Sequence, residues 1–148
     1  MAIPQNEEQM LIAYRTASET MDDFIRHLEV GDNRLCSFKL CFRDPELSER
    51  LGEDKLLYWW LDLVTYHPED GHFSGVFSEL PDCLLPYHQV GQRLHAERED
   101  IFDWRVNCNG RLYGGFTIRV ARQKIPPDEL ADYDRYIGVT RFEEGTTR

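Results

Sequence analysis

Four histidines between residues 67 and 95 have the side chains best suited to chemistry, because imidazoles bind transition metals and move protons near neutral pH. His67, His72, His88 and His95 fall in or beside the segments that join predicted strands. Three of them next to an acid would resemble a metal site. The chain has no His-x-His or His-x-x-x-His pair, however. Taken singly, they are interpreted as surface or internally bonded histidines, and the sequence predicts no metal site and no cofactor.

Asp103 is the acid with the most distinctive setting, because Trp104 follows it and a pocket beside the indole would be apolar. A small hydrolase or ligand-modifying enzyme would use Asp103 with an adjacent histidine. No Gly-x-Ser-x-Gly, phosphate-loop or dinucleotide fingerprint occurs, however. Asp103 is therefore interpreted first as the partner of Arg105, or of an arginine from another strand, in a structural ion pair. No catalytic residue is predicted, and the enzyme stays an alternative.

The four cysteines do not form a metal-binding pattern. No Cys-x-x-Cys pair is present, and Cys36 and Cys41 lie at odd spacing on one predicted strand, so their side chains point to opposite faces. In a cytoplasmic chain of this size the thiols are expected to stay reduced. They are interpreted as small core or surface residues.

Aromatic side chains are more numerous than one small core needs, and strand alternation makes some of them face outward or line a concave surface. A ligand or partner is expected there. A small-molecule sensor is a third reading, which requires an apolar cavity rather than a filled core. The predicted binding residues are Trp60, Asp103, Trp104, Tyr113, Phe116 and Arg119.

A hairpin is predicted within residues 101–119, because Asn109-Gly110 adopts positive φ at low cost and suits a two-residue type I′ turn. Counting outward from the turn pairs Cys108 with Arg111 and Val106 with Tyr113. Farther out it pairs Trp104 with Gly115 and Phe102 with Thr117. Paired glycines predict a bulge or bend, and the Trp104 ring would cover the exposed backbone.

The remaining pattern predicts an α+β fold. Apolar residues at steps of three and four from Met10 to Leu28 indicate an N-terminal helix, continuous or broken near residues 18–20, that packs on a sheet. Strands are predicted at residues 35–42, 56–66, 72–79 and 93–98, with an acidic loop at 44–54, and they join the hairpin in a curved antiparallel sheet of five or six strands. A short C-terminal helix begins near Pro126-Pro127. One domain, 1–148, is expected, with disorder at 1–5 and 143–148.

The hairpin segment resembles a bacterial family of unknown function, the YegJ-like domains. The specific part of the resemblance is Asp103-Trp104 followed by Gly114-Gly115-Phe116-Thr117-Ile118-Arg119. The resemblance implies that residues 114–119 form a strand. Weaker matches extend the resemblance over residues 20–122, at residues 58–62, 73–81 and 90–94. Gln92 departs from the pattern, which implies an acid there, and any site that uses that acid is in doubt. The family supplies no catalytic residue to carry over.

Composition and charge narrow the partners. With 41% hydrophobic residues the chain can build a sizeable core, and 27 acids against 17 Lys and Arg give a net charge of −10. This charge argues against nucleic acid, whose affinity rests on Lys and Arg. Without an apolar run of membrane length or a signal peptide, a cytoplasmic location and no membrane contact are expected. The leading hypothesis is a non-enzymatic protein-binding domain with a basic partner, in a specific form an immunity-type inhibitor of a bacterial toxin.

Overall fold

Five α-helices and seven β-strands lie within residues 5–143, the part of the chain that the computed structural model describes. The contacts divide the chain into two units: the terminal unit, residues 1–36 with 103–148, and the central unit, residues 37–102. The α+β class is therefore confirmed, with more strands than the five or six predicted. The single domain stays a prediction. None of the described helices has the length and apolar character needed to cross a membrane.

The central unit contains β1 (Leu35–Arg43), β2 (Leu56–His67), β3 (His72–Val76) and β4 (Arg93–Ala96). These strands are antiparallel, in the order β4-β3-β2-β1. The pairing of β1 with β2 places Phe38 opposite Leu61, and both side chains are fully buried. A Cβ at Gly75 would lie only 3.0 Å from each of these two side chains, so the third strand packs closely over them. The predicted strands are confirmed apart from their last residues.

A bulge interrupts the pairing of β2 with β3 between Asp62 and Thr65. Leu63 within it has φ of 51° and is exposed. Bulges add twist and bend to the strand that carries them. The bulge therefore lies at a non-glycine residue, and the residue types of this segment do not predict it.

The predicted acidic loop at residues 44–54 is wrong, because it contains helix α3 (Pro45–Leu51). The Asp44 side chain accepts a hydrogen bond from the amide of Leu47 at 3.0 Å, proline occupies the first turn, and Gly52 ends the helix in the left-handed region. Asp as N-cap, proline at the first position and glycine at the end are the preferred helix boundaries. The segment was predicted as a loop because it is acidic, although its N-cap, proline and C-terminal glycine are the signals of a short helix.

The terminal unit packs helices on a strand pair. Helix α1 (Gln5–Glu19) contacts α4 (Phe116–Arg122) and β5 (Asp103–Cys108), and α2 (Met21–Val30) also contacts β5. The predicted break in the first helix is confirmed at Thr20, whose hydroxyl donates to the carbonyl of Thr16 at 2.8 Å. Its elements are α1 (Gln5–Glu19), α2 (Met21–Val30), β5 (Asp103–Cys108), β6 (Arg111–Gly114), α4 (Phe116–Arg122), α5 (Leu130–Ile137) and β7 (Arg141–Phe142).

The turn of the β5–β6 hairpin is as predicted. Asn109 and Gly110 have φ of 54° and 91°, and the register joins Val106 to Tyr113 and Cys108 to Arg111. The second half of the prediction is wrong, because β6 stops at Gly114 and the next residues form α4 instead of a strand to Arg119. Gly114 and Gly115 have φ of 68° and 62°, so the chain leaves the extended conformation twice in succession.

The C-terminal elements bring one strand that the sequence did not predict. Helix α5 ends before Gly138 as expected, and β7 then pairs with β6 in parallel, with Arg111 opposite Arg141. The disorder predicted for 1–5 and 143–148 falls mainly outside the described residues. Of the two boundary residues, Gln5 begins α1, and the buried Glu143 forms ion pairs with Arg111 at 2.7 Å and Arg141 at 3.0 Å.

An acid-dependent weakening of the C-terminal elements follows from two carboxylates. The hydrogen bond from Arg122 holds the pKa of Asp134 below its ordinary value of 3.8, and the one from Arg111 holds the pKa of Glu143 below 4.5. A lowered folded-state pKa means that the unfolded chain binds the proton first. The stabilisation that these two ion pairs give the folded chain is therefore complete at pH values above the ordinary pKa values. It is lost as the pH falls through the ordinary pKa values to the lower pKa values of the folded state.

We expect Asp134→Asn to flatten the pH dependence of the free energy of unfolding between about pH 5 and about pH 3. Urea titrations across that range measure it. Asp132→Asn is the matched control, because the pair of Asp132 with Arg135 is exposed and exposed pairs contribute little. Equal slopes for the two variants would contradict the assignment.

Candidate functional site

The carboxylate of Asp103 is fully buried and caps the start of α4. One oxygen accepts from the amides of Trp104 at 2.8 Å and Phe116 at 3.2 Å. The other accepts from the amide of Thr117 at 2.8 Å and from its hydroxyl at 2.5 Å. These are the orphan donors of a helix N-terminus and of the strand beside it. In this position the carboxylate joins β5 to α4.

Trp104 lies in the core of the terminal unit with no exposed surface. Its ring stacks on Phe24 with centroids 5.3 Å apart and meets the edge of Phe116 at 5.8 Å. The indole N–H donates to the hydroxyl of Thr20 at 3.0 Å. A Cβ on Gly114 would lie 2.6 Å from this ring, so the indole does cover a glycine, one residue earlier than the predicted Gly115.

The other predicted binding residues are divided between the two units. Tyr113 is buried beside His27, with ring centroids 4.6 Å apart. Arg119 donates to the carbonyls of Gly114 at 2.9 Å and Leu112 at 3.2 Å. Trp60 belongs to the central unit, half-buried, with the Lys39 ammonium 5.2 Å from its ring.

His27 is the histidine of the terminal unit, and its ring lies beside Trp104. Its ring centroid is 6.0 Å from that of Trp104, and its Nδ1 lies 2.7 Å from a guanidinium nitrogen of Arg34. Because guanidinium only donates, Nδ1 accepts and the imidazole of this contact is neutral. The lone pair that a general base would use is therefore already engaged.

Burial, opposed by the positive charge of Arg34 and aided by the negative charge of Asp32, raises the pKa of the Cys36 thiol to about 11. The thiolate is the reactive form of cysteine. At neutral pH this side chain is therefore a protonated thiol and not a nucleophile.

Three histidines of the central unit lie together on adjacent strands. His67 is directly opposite His72 across the β2–β3 hairpin, and His95 of β4 is opposite Ser74 of β3. Each imidazole offers one ring nitrogen that lies within 4.8 Å of those of the other two. Alternate residues of a strand share a face, so His72 and Ser74 point to the same side of the sheet. His67 is the partner of His72 and His95 is the partner of Ser74, so all three imidazole rings lie on that side. We call His67, His72 and His95 the histidine cluster.

Polar contacts hold the rings of the cluster. Nε2 of His72 and Nδ1 of His95 are 3.0 Å apart, and Nε2 of His67 is 3.0 Å from the hydroxyl of Ser74. A carboxylate oxygen of Asp70 is 3.7 Å from Nδ1 of His72. The Ser74 hydroxyl also receives a hydrogen bond from Arg93 at 2.9 Å. Three imidazoles with an adjacent carboxylate are suited to binding a transition metal.

The three histidines lie on three different strands, so their spacing within any one strand gives no sign of the cluster. The spacing of His67 and His72 across a predicted turn was the available signal, since two residues equidistant from a hairpin turn face each other. His95 could not be added in that way, because its place depends on the pairing of β4 with β3. His88 lies elsewhere, with its Nδ1 3.2 Å from Gln92.

Sequence comparisons confirm the YegJ-like resemblance. The uncharacterized protein YegJ of Escherichia coli K12 is 28% identical over 124 residues, which is 84% of this chain and 74% of YegJ. A putative ankyrin repeat protein of Neisseria meningitidis serogroup B is 33% identical over 97 residues, 64% of this chain and 37% of that protein. No solved structure matches the chain. A family model described as "Uncharacterized protein conserved in bacteria" covers residues 7–141, and the chain therefore belongs to this bacterial family, DUF2314.

Proposed function

We propose that the chain is a non-enzymatic protein-binding domain that takes a basic partner on the loop between β3 and β4, residues 77–92. The observation that supports this most is a run of exposed apolar side chains on an anchored loop. The negative charge of the surrounding sequence and the name of one relative give further support to the proposal. An immunity-type inhibitor that covers a cationic toxin cleft is the specific form of this proposal.

The 77–92 loop is fixed from within. Phe77 and Leu84 are fully or almost fully buried, and His88 packs against Phe77 with ring centroids 5.2 Å apart. The backbone closes on itself through hydrogen bonds between Phe77 and Gln92 and between Gly91 and Phe77. A loop that is already ordered loses little conformational entropy on binding.

The outer side of the same loop is apolar. Leu85, Tyr87 and Val90 are 52%, 51% and 60% exposed, within six residues of one another. Single exposed apolar residues are ordinary, but several held on one ordered segment are typical of interaction surfaces. Tyrosine is also among the residues that contribute most at protein interfaces.

Charge selects a basic partner. Residues 56–92 contain no lysine or arginine, and their five acids are Asp62, Glu69, Asp70, Glu79 and Asp82. Glu79 and Asp82 lie in the loop itself and are exposed. An acidic surface attracts a cationic partner and raises the rate of encounter. The Neisseria relative, named for ankyrin repeats, supports a binding role because such repeats stack into binding surfaces.

The two alternative functions have weaker geometric support. A hydrolase that uses Asp103 requires the carboxylate to meet substrate, yet this side chain is fully buried and bonded to α4. A small-molecule sensor requires an apolar cavity. A depression of about 410 Å³ in the central unit is open and includes Glu99 and Asp100 in its lining, together with Leu40, Cys41, His95, Ala96 and Phe102.

The test is capture of a partner from lysate of the native cell by the tagged chain and by two double variants. We expect a basic protein to bind at about 0.15 M salt and to be released at about 1 M salt, because screening removes the electrostatic attraction. Leu85→Ser with Tyr87→Ser should weaken binding at least about tenfold. Leu11→Ser with Ile12→Ser is the matched control, because these side chains are similarly exposed on α1.

A partner that both double variants retain equally would refute the 77–92 loop as the binding surface. Absence of any salt-sensitive partner would refute the basic protein. Circular dichroism of both double variants verifies that the substitutions leave the fold intact.

A further inference from the structure

We propose that the histidine cluster binds one divalent transition-metal ion of the zinc class through His67, His72 and His95. This inference concerns a different surface from the 77–92 loop and does not rest on the proposed protein partner.

The geometry needs only small adjustments. Zinc–nitrogen bonds of about 2.0–2.1 Å in a tetrahedral site place ligand nitrogens about 3.3 Å apart. Nε2 of His72 and Nδ1 of His95 are already 3.0 Å apart. The widest separation in the cluster is under 4.8 Å, so the third imidazole closes about 1.5 Å at most. Rotation of rings at the sheet surface supplies a movement of this size, because terminal ring torsions are broad.

The neighbouring groups orient the ligands as in known metal sites. The Asp70 carboxylate lies 3.7 Å from Nδ1 of His72, and protonation of this nitrogen leaves the lone pair on Nε2 facing His95. Metal-bound histidines usually have such a carboxylate on the second ring nitrogen. Ser74, fully buried, holds the ring of His67 at 3.0 Å. The side chain of Arg93 donates a hydrogen bond to the Ser74 hydroxyl at 2.9 Å.

The donor set defines the class of ion. Neutral imidazole nitrogens suit Zn²⁺, Cu²⁺, Ni²⁺ and Co²⁺, whereas Mg²⁺ and Ca²⁺ require oxygen ligands. His95 is exposed while His67 and His72 are half-buried, so the site is open to solvent on one side. Three protein ligands with an open fourth position are characteristic of accessible sites in which water or another molecule completes the shell.

The first measurement uses the wild-type chain with any affinity tag removed, because a histidine tag would itself bind the ion. ZnCl₂ alone is titrated into ¹⁵N-labelled protein, and the imidazole signals are followed by nuclear magnetic resonance. We expect the signals of His67, His72 and His95 to shift together and to saturate at one ion per chain. The signals of His27 and His88 should not follow them. Shifts spread over all five histidines, or none, would overturn the proposal without reference to any variant.

Calorimetric titration with ZnCl₂ then compares variants. His72→Gln should lower the affinity at least about a hundredfold, and Asp70→Asn about tenfold, as loss of a ligand and of its carboxylate partner imply. His88→Gln is the matched control and should leave the affinity unchanged. An affinity for Zn²⁺ that His72→Gln leaves unaltered would refute the site.

Discussion

Replacing Asp103 by alanine is expected to lower the free energy of unfolding by about 3 kcal/mol, since the change removes a charged acceptor and leaves its buried donors without a partner. Those donors are the amides of Trp104, Phe116 and Thr117 and the Thr117 hydroxyl. An ordinary N-cap contributes only about 1 kcal/mol. The loss at Asp103 is larger because its carboxylate is fully buried and also accepts a hydrogen bond from the Trp104 amide of its own strand, β5. Urea unfolding followed by circular dichroism measures the loss.

Asp44→Ala is the matched control, because Asp44 caps α3 in the same way but is only half-buried. It should cost about 1 kcal/mol. Thr117→Val, which keeps the shape but removes one hydroxyl donor to Asp103, should also cost about 1 kcal/mol. If Asp103→Ala costs no more than Asp44→Ala, the joint role of Asp103 in β5 and α4 is incorrect.

Gly114→Ala is expected to destabilise the chain by about 2–4 kcal/mol or to prevent folding of the terminal unit. The added Cβ would lie 2.5 Å from the carbonyl oxygen of Trp104 and 2.6 Å from its ring. A left-handed φ of 68° adds a cost of about 1 kcal/mol for any residue with a side chain. Overpacking of this kind costs about 1–3 kcal/mol. Neither the backbone nor the fully buried indole has space to move.

Gly52→Ala separates the two contributions. Gly52 has φ of 71°, but no atom lies within 4 Å of the position that an added Cβ would occupy, so only the conformational cost of about 1 kcal/mol applies. The excess loss at Gly114 measures the contact with Trp104. Equal unfolding free energies for the two variants, again from urea titration, would mean that the indole does not pack on the glycine.

Local signals predicted much of the fold. The Asn109-Gly110 turn determined the hairpin register near it, and the apolar spacing from Met10 to Leu28 located the broken helix, because both depend on neighbouring residues only. The strand that became α4 was mispredicted for the opposite reason. Its helical start depends on Asp103, which is distant in sequence from Thr117 and reaches it only across the hairpin.

The candidate site was less predictable than the fold. Asp103 and Trp104 were distinctive in the sequence, and their distinctiveness reflects the demands of a buried cap and a ring packed on a glycine. The histidine cluster needed the order of three strands. Composition marks a histidine but not its neighbour in the next strand, and pairing of β3 with β4 joins residues about twenty positions apart.

The passage from β6 into α4 has a consequence for length variation among relatives. Gly114 is the last residue paired in β6, so only Gly115 separates the strand from the helix, and Thr117 must arrive at Asp103 within two further residues. An insertion or deletion of one residue there would rotate the first helical turn by about 100° and move the threonine away from the carboxylate. Insertions and deletions should therefore be confined to other connections, and this junction should keep a constant number of residues.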